Sequence, residues 1–173
     1  TVPSFVLPNL VNLPEDYAEK TRLIEYEGAI AVTWVLNRSL SPIYWLNVAD
    51  EDIPFLLLLE QTNLVPPSEY GGKRIVYTAN YVTRDDRRWE MKDEDIIADY
   101  APHMKKINPE FDESWIDETY VHKEPAAQPI MTVNYSQKIP PVRTPVPGLW
   151  LASMSQVYPE DRGTNYSIRL GQQ

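Results

Sequence analysis

The sequence predicts an α+β fold, a mixed and largely antiparallel sheet of about five to six strands with few helices. Three observations point there: one long run of strict alternation, several strand-length apolar runs divided by short breaks, and few segments with helical periodicity. The alternation lies in residues 23–38, where Ile30, Val32, Trp34 and Leu36 share one face and Ala29, Ala31, Thr33 and Val35 the other. Both faces are apolar enough to be covered. Residues 43–48, 55–62 and 74–82 read as further strands, separated by Asp50-Glu51-Asp52, Pro66-Pro67 and Gly71-Gly72, and such breaks predict antiparallel neighbours.

The helices are few. Pro14, Glu15 and Asp16 open a short one through about residue 21, with proline at a tolerated first-turn position and acids at the positive end of the dipole. A second starts at Asp93 as N-cap, places Ile96, Ile97, Tyr100 and Met104 on one face, and is kinked or split by Pro102. Residues 115–122 and 130–135 are further strand candidates, followed by an extended proline-rich passage through Pro140, Pro141, Pro145 and Pro147. Residues 148–152 read as a buried strand feeding a charged turn and then a short helix, with Thr164 and Asn165 as possible N-caps and Tyr166, Ile168 and Leu170 in its first turns.

Composition sets bounds on function. A chain of 173 residues with 43% hydrophobic content can bury a sizeable core. A net charge of −9 argues against a nucleic-acid partner or an anionic membrane surface, either of which favours a basic face. The absence of cysteine excludes disulfides, thiolate metal sites and a cysteine nucleophile, and fits a reducing, cytoplasmic setting. With two histidines and no ligand spacing, no metal site is expected. The longest apolar run, residues 53–59, is far short of the roughly 20 residues of a membrane helix, so no transmembrane segment is expected. The opening TVPSFVLP is not a signal peptide and reads as the end of something upstream.

The densest polar cluster is Tyr158, Glu160, Asp161, Arg162, Gly163, Thr164, Asn165 and Tyr166. It reads either as a solvated turn or as a ligand site, with Gly163 permitting close backbone approach and the first helical N–H groups free to donate. Tyr44, Trp45, Asn47, Gln61, Asn63, Gln128 and Tyr135 place aromatics and amides near strand ends and are the substrate-pocket candidates. The carboxylate pairs Asp50/Asp52, Asp85/Asp86 and Glu160/Asp161 are adjacent on turns, which is not the facing arrangement of a glycosidase. No GxSxG and no GxGxxG occurs, so catalytic residues are not assignable and the usual dinucleotide pyrophosphate site cannot be built from this chain alone.

The runs YWLNVAD (44–50), EQTNLVPPSEYGGKRIVY (60–77), INPEF (107–111), AQPIMTVNY (127–135) and TPVPGLWLASMSQVYPEDRGTNYSIRLG (144–171) resemble the C-terminal half of bacterial FAD-dependent oxidoreductases. That group is the amine oxidase and protoporphyrinogen oxidase-like superfamily, with architectural similarity to UDP-galactopyranose mutase. The resemblance implies a fragment of a two-domain flavoprotein. Residues 1–3 would end the strand leaving the FAD domain, 4–147 would form the substrate-binding domain, and 148–173 the returning strand and a truncated final helix. It implies FAD as cofactor of the parent protein, held in part by residues 158 and 160–166, with no cofactor bound by this piece by itself. It further implies hydride transfer from a small-molecule substrate to the flavin, walls contributed by Trp34, Trp45, Tyr77, Tyr81 and Tyr135, and a missing N-terminal FAD-binding domain as partner. Isolated, such a piece would self-associate and lack activity. A second reading stays open: a self-contained carbohydrate or nucleotide-sugar binding module, or a portion of a sugar mutase, using its 11 Tyr and 5 Trp as stacking surfaces.

Overall fold

The computed structural model describes residues 3–161 and 163–173. They fall into two compact units, one of Gly28–Pro125 and one built from the first segment, up to Glu27, together with Ala126–Gln173. Five strands, β1 (Tyr26–Leu36), β2 (Trp45–Asn47), β3 (Leu57–Glu60), β4 (Arg74–Val82) and β5 (Ile116–Pro129), lie in the order β2-β3-β4-β1-β5. Pairing is antiparallel, with Trp34 opposite Val76, Val76 opposite Glu60, and Leu46 opposite Leu58. The α helices are α1 (Leu7–Leu10), α2 (Glu15–Arg22), α3 (Asp93–Tyr100), α4 (Met104–Ile107), α5 (Tyr135–Lys138) and α6 (Thr164–Gly171). The α+β class read from the sequence is the one observed.

In the larger unit, strand alternation sorts side chains onto two unlike faces. Ile30, Val32, Trp34 and Leu36 are fully buried, as the alternation predicts, and Leu58, Val76 and Val82 join them. The helical segment supplies the second layer of this core. Ile96, Tyr100 and Met104, four residues apart, are each fully buried, and Phe111 and Trp115 close the cluster. Removing each such large side chain from water contributes about 1.5–3 kcal/mol. Pro102, which has no N–H to give, splits the helix: α3 stops at Tyr100, a 3₁₀ turn covers Ala101–His103, and α4 resumes at Met104. Lys92 is the N-cap and Asp93 the first helical residue, one position earlier than the sequence suggests, which leaves Asp93, Glu94 and Asp95 all in the first turn.

Two buried polar clusters fix this core. Glu60 has no exposed surface, and its carboxylate accepts from Leu40 N (2.9 Å), Ser41 N (2.7 Å) and the Ser39 hydroxyl (2.7 Å). It thereby ties the loop after β1 to the end of β3. Arg88 grips both oxygens of Asp86 (2.8 and 2.7 Å) and donates to the Pro54 carbonyl (3.1 Å). The Asn80 carboxamide sits 2.7 Å from the Tyr100 hydroxyl, and with its oxygen turned to the Arg88 guanidinium every member of the cluster is satisfied.

In the smaller unit, α2 buries Tyr17, Ala18 and Thr21, and the Tyr17 hydroxyl donates to the Pro141 carbonyl (2.6 Å). Ile24, Tyr26 and Tyr135 form a second cluster. Three sequence expectations fail here or nearby. Residues 130–135 are not a strand: Asn134 takes the left-handed conformation (φ 58°), which Asn tolerates, and the chain turns into α5 at Tyr135. Residues 148–152 form one isolated bridge, Arg143 with Trp150, because Pro145, Pro147 and the left-handed Gly148 (φ 80°) keep the passage looped. The strand expected over 55–62 forms only as β3, since the chain leaves the ladder into a 3₁₀ turn at Gln61–Asn63. Among the described residues, no helix is long and apolar enough to cross a membrane.

Candidate functional site

The C-terminal polar segment forms a cleft within the smaller unit. Ser153-Met154-Ser155-Gln156 makes a capping box: Ser153 Oγ receives the Ser155 N–H and the Gln156 Oε1 receives the Ser153 N–H (2.7 Å). Gln156 Nε2 then donates to the Pro140 carbonyl (3.0 Å), so this turn is fixed at both ends. The buried Tyr135 hydroxyl donates to the Ser155 carbonyl (2.7 Å), and its ring meets that of Tyr158 at 5.6 Å. Burial pushes the Tyr135 phenol up to about 12.

Beyond this anchor lies a cavity of about 230 Å³ bounded by Tyr158, Glu160, Tyr166 and Arg169, with Gln156 at its base. Glu160 and Arg169 face each other at 3.5 Å. Of the sequence-predicted cofactor residues, Tyr158, Glu160 and Tyr166 are thus brought together. Asp161, Thr164 and Asn165 are exposed and do not bound the cavity, and Arg162 lies outside the described residues. Gly163 is the N-cap of α6 and no side chain caps it, so the role expected of Thr164 or Asn165 falls to a residue without one. A Cβ at Gly163 would meet only Asn165 Oδ1, the far end of an exposed side chain, and its extended backbone (φ −128°) suits any residue, so glycine is not sterically required there. Sequence reasoning missed Gln156 and Arg169. The S-x-x-Q signature could have found the first, and the three-residue spacing from Tyr166 along a helix the second.

The substrate-pocket candidates separate. Tyr135 and Gln128 belong to the smaller unit, where Tyr135 is anchored as above and Gln128 Oε1 is buried with no partner among the described residues. Tyr44, Trp45, Asn47, Gln61 and Asn63 belong to the larger unit. There Asn63 is a clasp, its Nδ2 donating to the Ser41 (2.7 Å) and Ile43 (3.2 Å) carbonyls. Gln61 is half-buried in the 3₁₀ turn, Tyr44 is at the surface, and exposed Trp45 donates through Nε1 to Asn47 Oδ1 (2.9 Å).

A broader surface emerges on the side of the sheet opposite the helical layer. Trp45, Leu59, Tyr77 and Thr33 lie in one row across four strands, and Asn47, Leu57, Ala79 and Ala31 in the next. Tyr81, opposite Ala29, begins a third. These side chains are half-buried or exposed, Trp45 at 51% and Tyr81 at 43%. The second face of an antiparallel sheet that meets water ordinarily alternates into charged and polar residues. On it β1 through β4 place a single charged residue, Glu27, at the start of β1, and no Lys or Arg. The polar margin is β5, where His122 Nε2 lies 3.1 Å from Thr33 Oγ1 and where the Tyr120 hydroxyl donates to Glu118. Burial raises the Tyr77 phenol above its usual value, and the bond to Glu118 does the same for Tyr120. Trp45, Tyr77 and Tyr81 therefore do share a surface. Trp34, expected as a wall residue, does not: it is in the core, its Nε1 donating to Thr78 Oγ1 (2.9 Å). Among the described residues, no group of three His, Asp or Glu side chains gathers as a metal site.

Comparison with protein-family models finds no match, and comparison with curated proteins finds none. Solved structures do match. A protein from Exiguobacterium sp. 255-15, provisionally described as a protoporphyrinogen oxidase, superposes with a TM-score of 0.58 at 15% identity, over 80% of this chain and 30% of its own. Reduced UDP-galactopyranose mutase gives 0.59 at 13% identity over 80% and 30%, and an oxidoreductase from Methanosarcina mazei 0.59 at 16% over 91% and 35%. At such identities the likeness is one of fold. The chain spans about a third of the length of the structures it matches.

Proposed function

We propose that this chain is the substrate-binding portion of an FAD-dependent oxidoreductase. Residues 4–147 take the substrate, residues 148–173 return to the cofactor, and the remaining FAD-binding polypeptide is its partner. The observation that carries the reading is the fold shared, over 80–91% of the chain, with about a third of an oxidoreductase, a mutase and a protein described as a protoporphyrinogen oxidase. The apolar, aromatic sheet face supports it, because a surface of Trp45, Leu57, Leu59 and Tyr77 excludes water from a reacting centre.

The C-terminal segment fits a flavin edge in one respect: Gly163 is the N-cap of α6 and no side chain makes a capping hydrogen bond there, leaving backbone donors for a polar ring edge. Flavin, when bound, supplies the hydride acceptor. This chain's own residues then position: Tyr158 and Tyr166 flank the cavity, the Glu160–Arg169 pair sets its charge, and Tyr135 fixes the turn behind it. The test is to express the chain joined to the polypeptide encoded upstream of it, supply FAD, and record the visible spectrum. A flavin absorption band in the folded product is expected. A colourless, correctly folded product overturns the proposal.

A further inference from the structure

Resting on that reading, we infer the class of molecule the sheet face takes: an uncharged, apolar, ring-bearing small molecule, seated between Tyr77 and Tyr81 with a hydrogen-bonding group turned to the Thr33–His122 pair. The shape comes from residue size. Tyr77 and Tyr81 are four residues apart on β4, so their rings rise from points about 14 Å apart, at about 3.4 Å per residue. Between them lies Ala79, opposite Ala31 on β1, while Ala29 lies opposite Tyr81. The methyl groups of Ala79 and Ala31, continued by that of Ala29, form a low floor beside the two phenol walls, with Leu57 opposite Ala79 on β3 closing the far side. A planar ring system fits this floor and stacks or meets the walls edge-on.

Charge decides the rest. The face carries no Lys or Arg on β1 through β4 in the paired register, and its β5 margin presents His122 beside Tyr120 and the Glu118 carboxylate. A diphosphate or carboxylate ligand placed here would find no cation to neutralise it and a carboxylate at the edge, within a chain of net charge −9. The polar end of the ligand meets instead a hydroxyl and an imidazole 3.1 Å apart, which between them both donate and accept. The same geometry therefore speaks against a nucleotide sugar on this face.

The probe is N-phenyl-1-naphthylamine, neutral and apolar, titrated into the 173-residue chain and read by fluorescence. Saturable binding is expected, weakened at least tenfold by Tyr81→Ala, which removes a 43%-exposed wall, and by Ala79→Phe, which fills the floor. Val133→Ser, at an 86%-exposed apolar position of the smaller unit, is expected to leave binding unchanged. UDP-galactose in excess is expected not to compete. Should Ala79→Phe fail to fold by near-ultraviolet circular dichroism, Tyr81→Ala decides the matter. Overturning results are absence of saturable binding, equal affinity in Tyr81→Ala, loss with Val133→Ser as well, displacement by UDP-galactose, or a Tyr81-dependent dimer in sedimentation. The two proposals fail separately: a flavin band without probe binding removes only this inference, and probe binding without a flavin band removes only the previous one.

Discussion

The indole of Trp89 packs on Gly28 so closely that a Cβ at residue 28 would come within 2.7 Å of its Cη2 and 3.1 Å of the Glu124 carbonyl. The ring is not free to withdraw, since its Nε1 donates to the Thr83 carbonyl at 2.8 Å. Glycine in a strand normally weakens it, and alanine there would ordinarily stabilise. Here overlap reverses the sign. Gly28→Ala is expected to cost about 1–3 kcal/mol, the range for overpacking a filled site. Chemical denaturation checks it, and a variant as stable as the parent would mean that Trp89 can move.

Glu60 is the acceptor for three donors in a site with no exposed surface. Glu60→Ala leaves the Leu40 and Ser41 N–H groups and the Ser39 hydroxyl without it, and is expected to cost about 3 kcal/mol, since each lost bond to a charged acceptor is worth about 1.5–3 kcal/mol before local relaxation. Glu60→Gln keeps the shape and one acceptor oxygen and should cost less. Equal losses for the two would show that the full pair of acceptor oxygens, rather than volume, matters at this position.

Asp86 titrates below the usual carboxylate range because Arg88 holds both its oxygens. Its folded pKa is lower than its unfolded one, so the stabilisation is fully present above the unfolded value of about 3.9 and is lost as pH falls through the folded value. Unfolding free energy measured against pH should therefore drop in acid more steeply in the parent than in Asp86→Asn. Parallel curves would remove Asp86 as a source of acid sensitivity.

Tyr135 moves in the opposite direction. Burial raises its phenol from about 10 in the unfolded chain to about 12, so its contribution is intact below pH 10 and is lost as pH climbs through 12. Ultraviolet titration of tyrosinate in the folded protein should show a late-ionising fraction, to which the raised phenols of Tyr17, Tyr77, Tyr100 and Tyr120 also contribute, that falls by one phenol in Tyr135→Phe. That variant also loses the bond to the Ser155 carbonyl, at about 1 kcal/mol.

What the sequence disclosed followed from periodicity. Ile30, Val32, Trp34 and Leu36 had to share one face because a strand repeats every two residues, and Ile96, Tyr100 and Met104 had to share a helix face at a spacing of four. Pro102 announced its break in the same way. Left-handed backbone at Asn134 and the looped course around Gly148 are tertiary outcomes, and the apolar residues beside them mimicked strands. The sheet face was half legible. Trp45, Tyr77 and Tyr81 stood out as aromatics, yet only the register of β4 against β1 and β3 puts Ala79 beside Ala31 and Leu57. Trp34 misled because a large aromatic gives no sign, in sequence, of which side of a strand is walled in.

Because the unit of Gly28–Pro125 is one uninterrupted stretch while the other draws on both ends of the chain, the two face different problems during synthesis. The continuous stretch can complete its contacts as soon as Pro125 clears the ribosome, whereas Tyr17 must wait for Pro141 and Tyr26 for Tyr135. The order of assembly is thereby written into the order of translation, interior segment first and the outer halves afterwards.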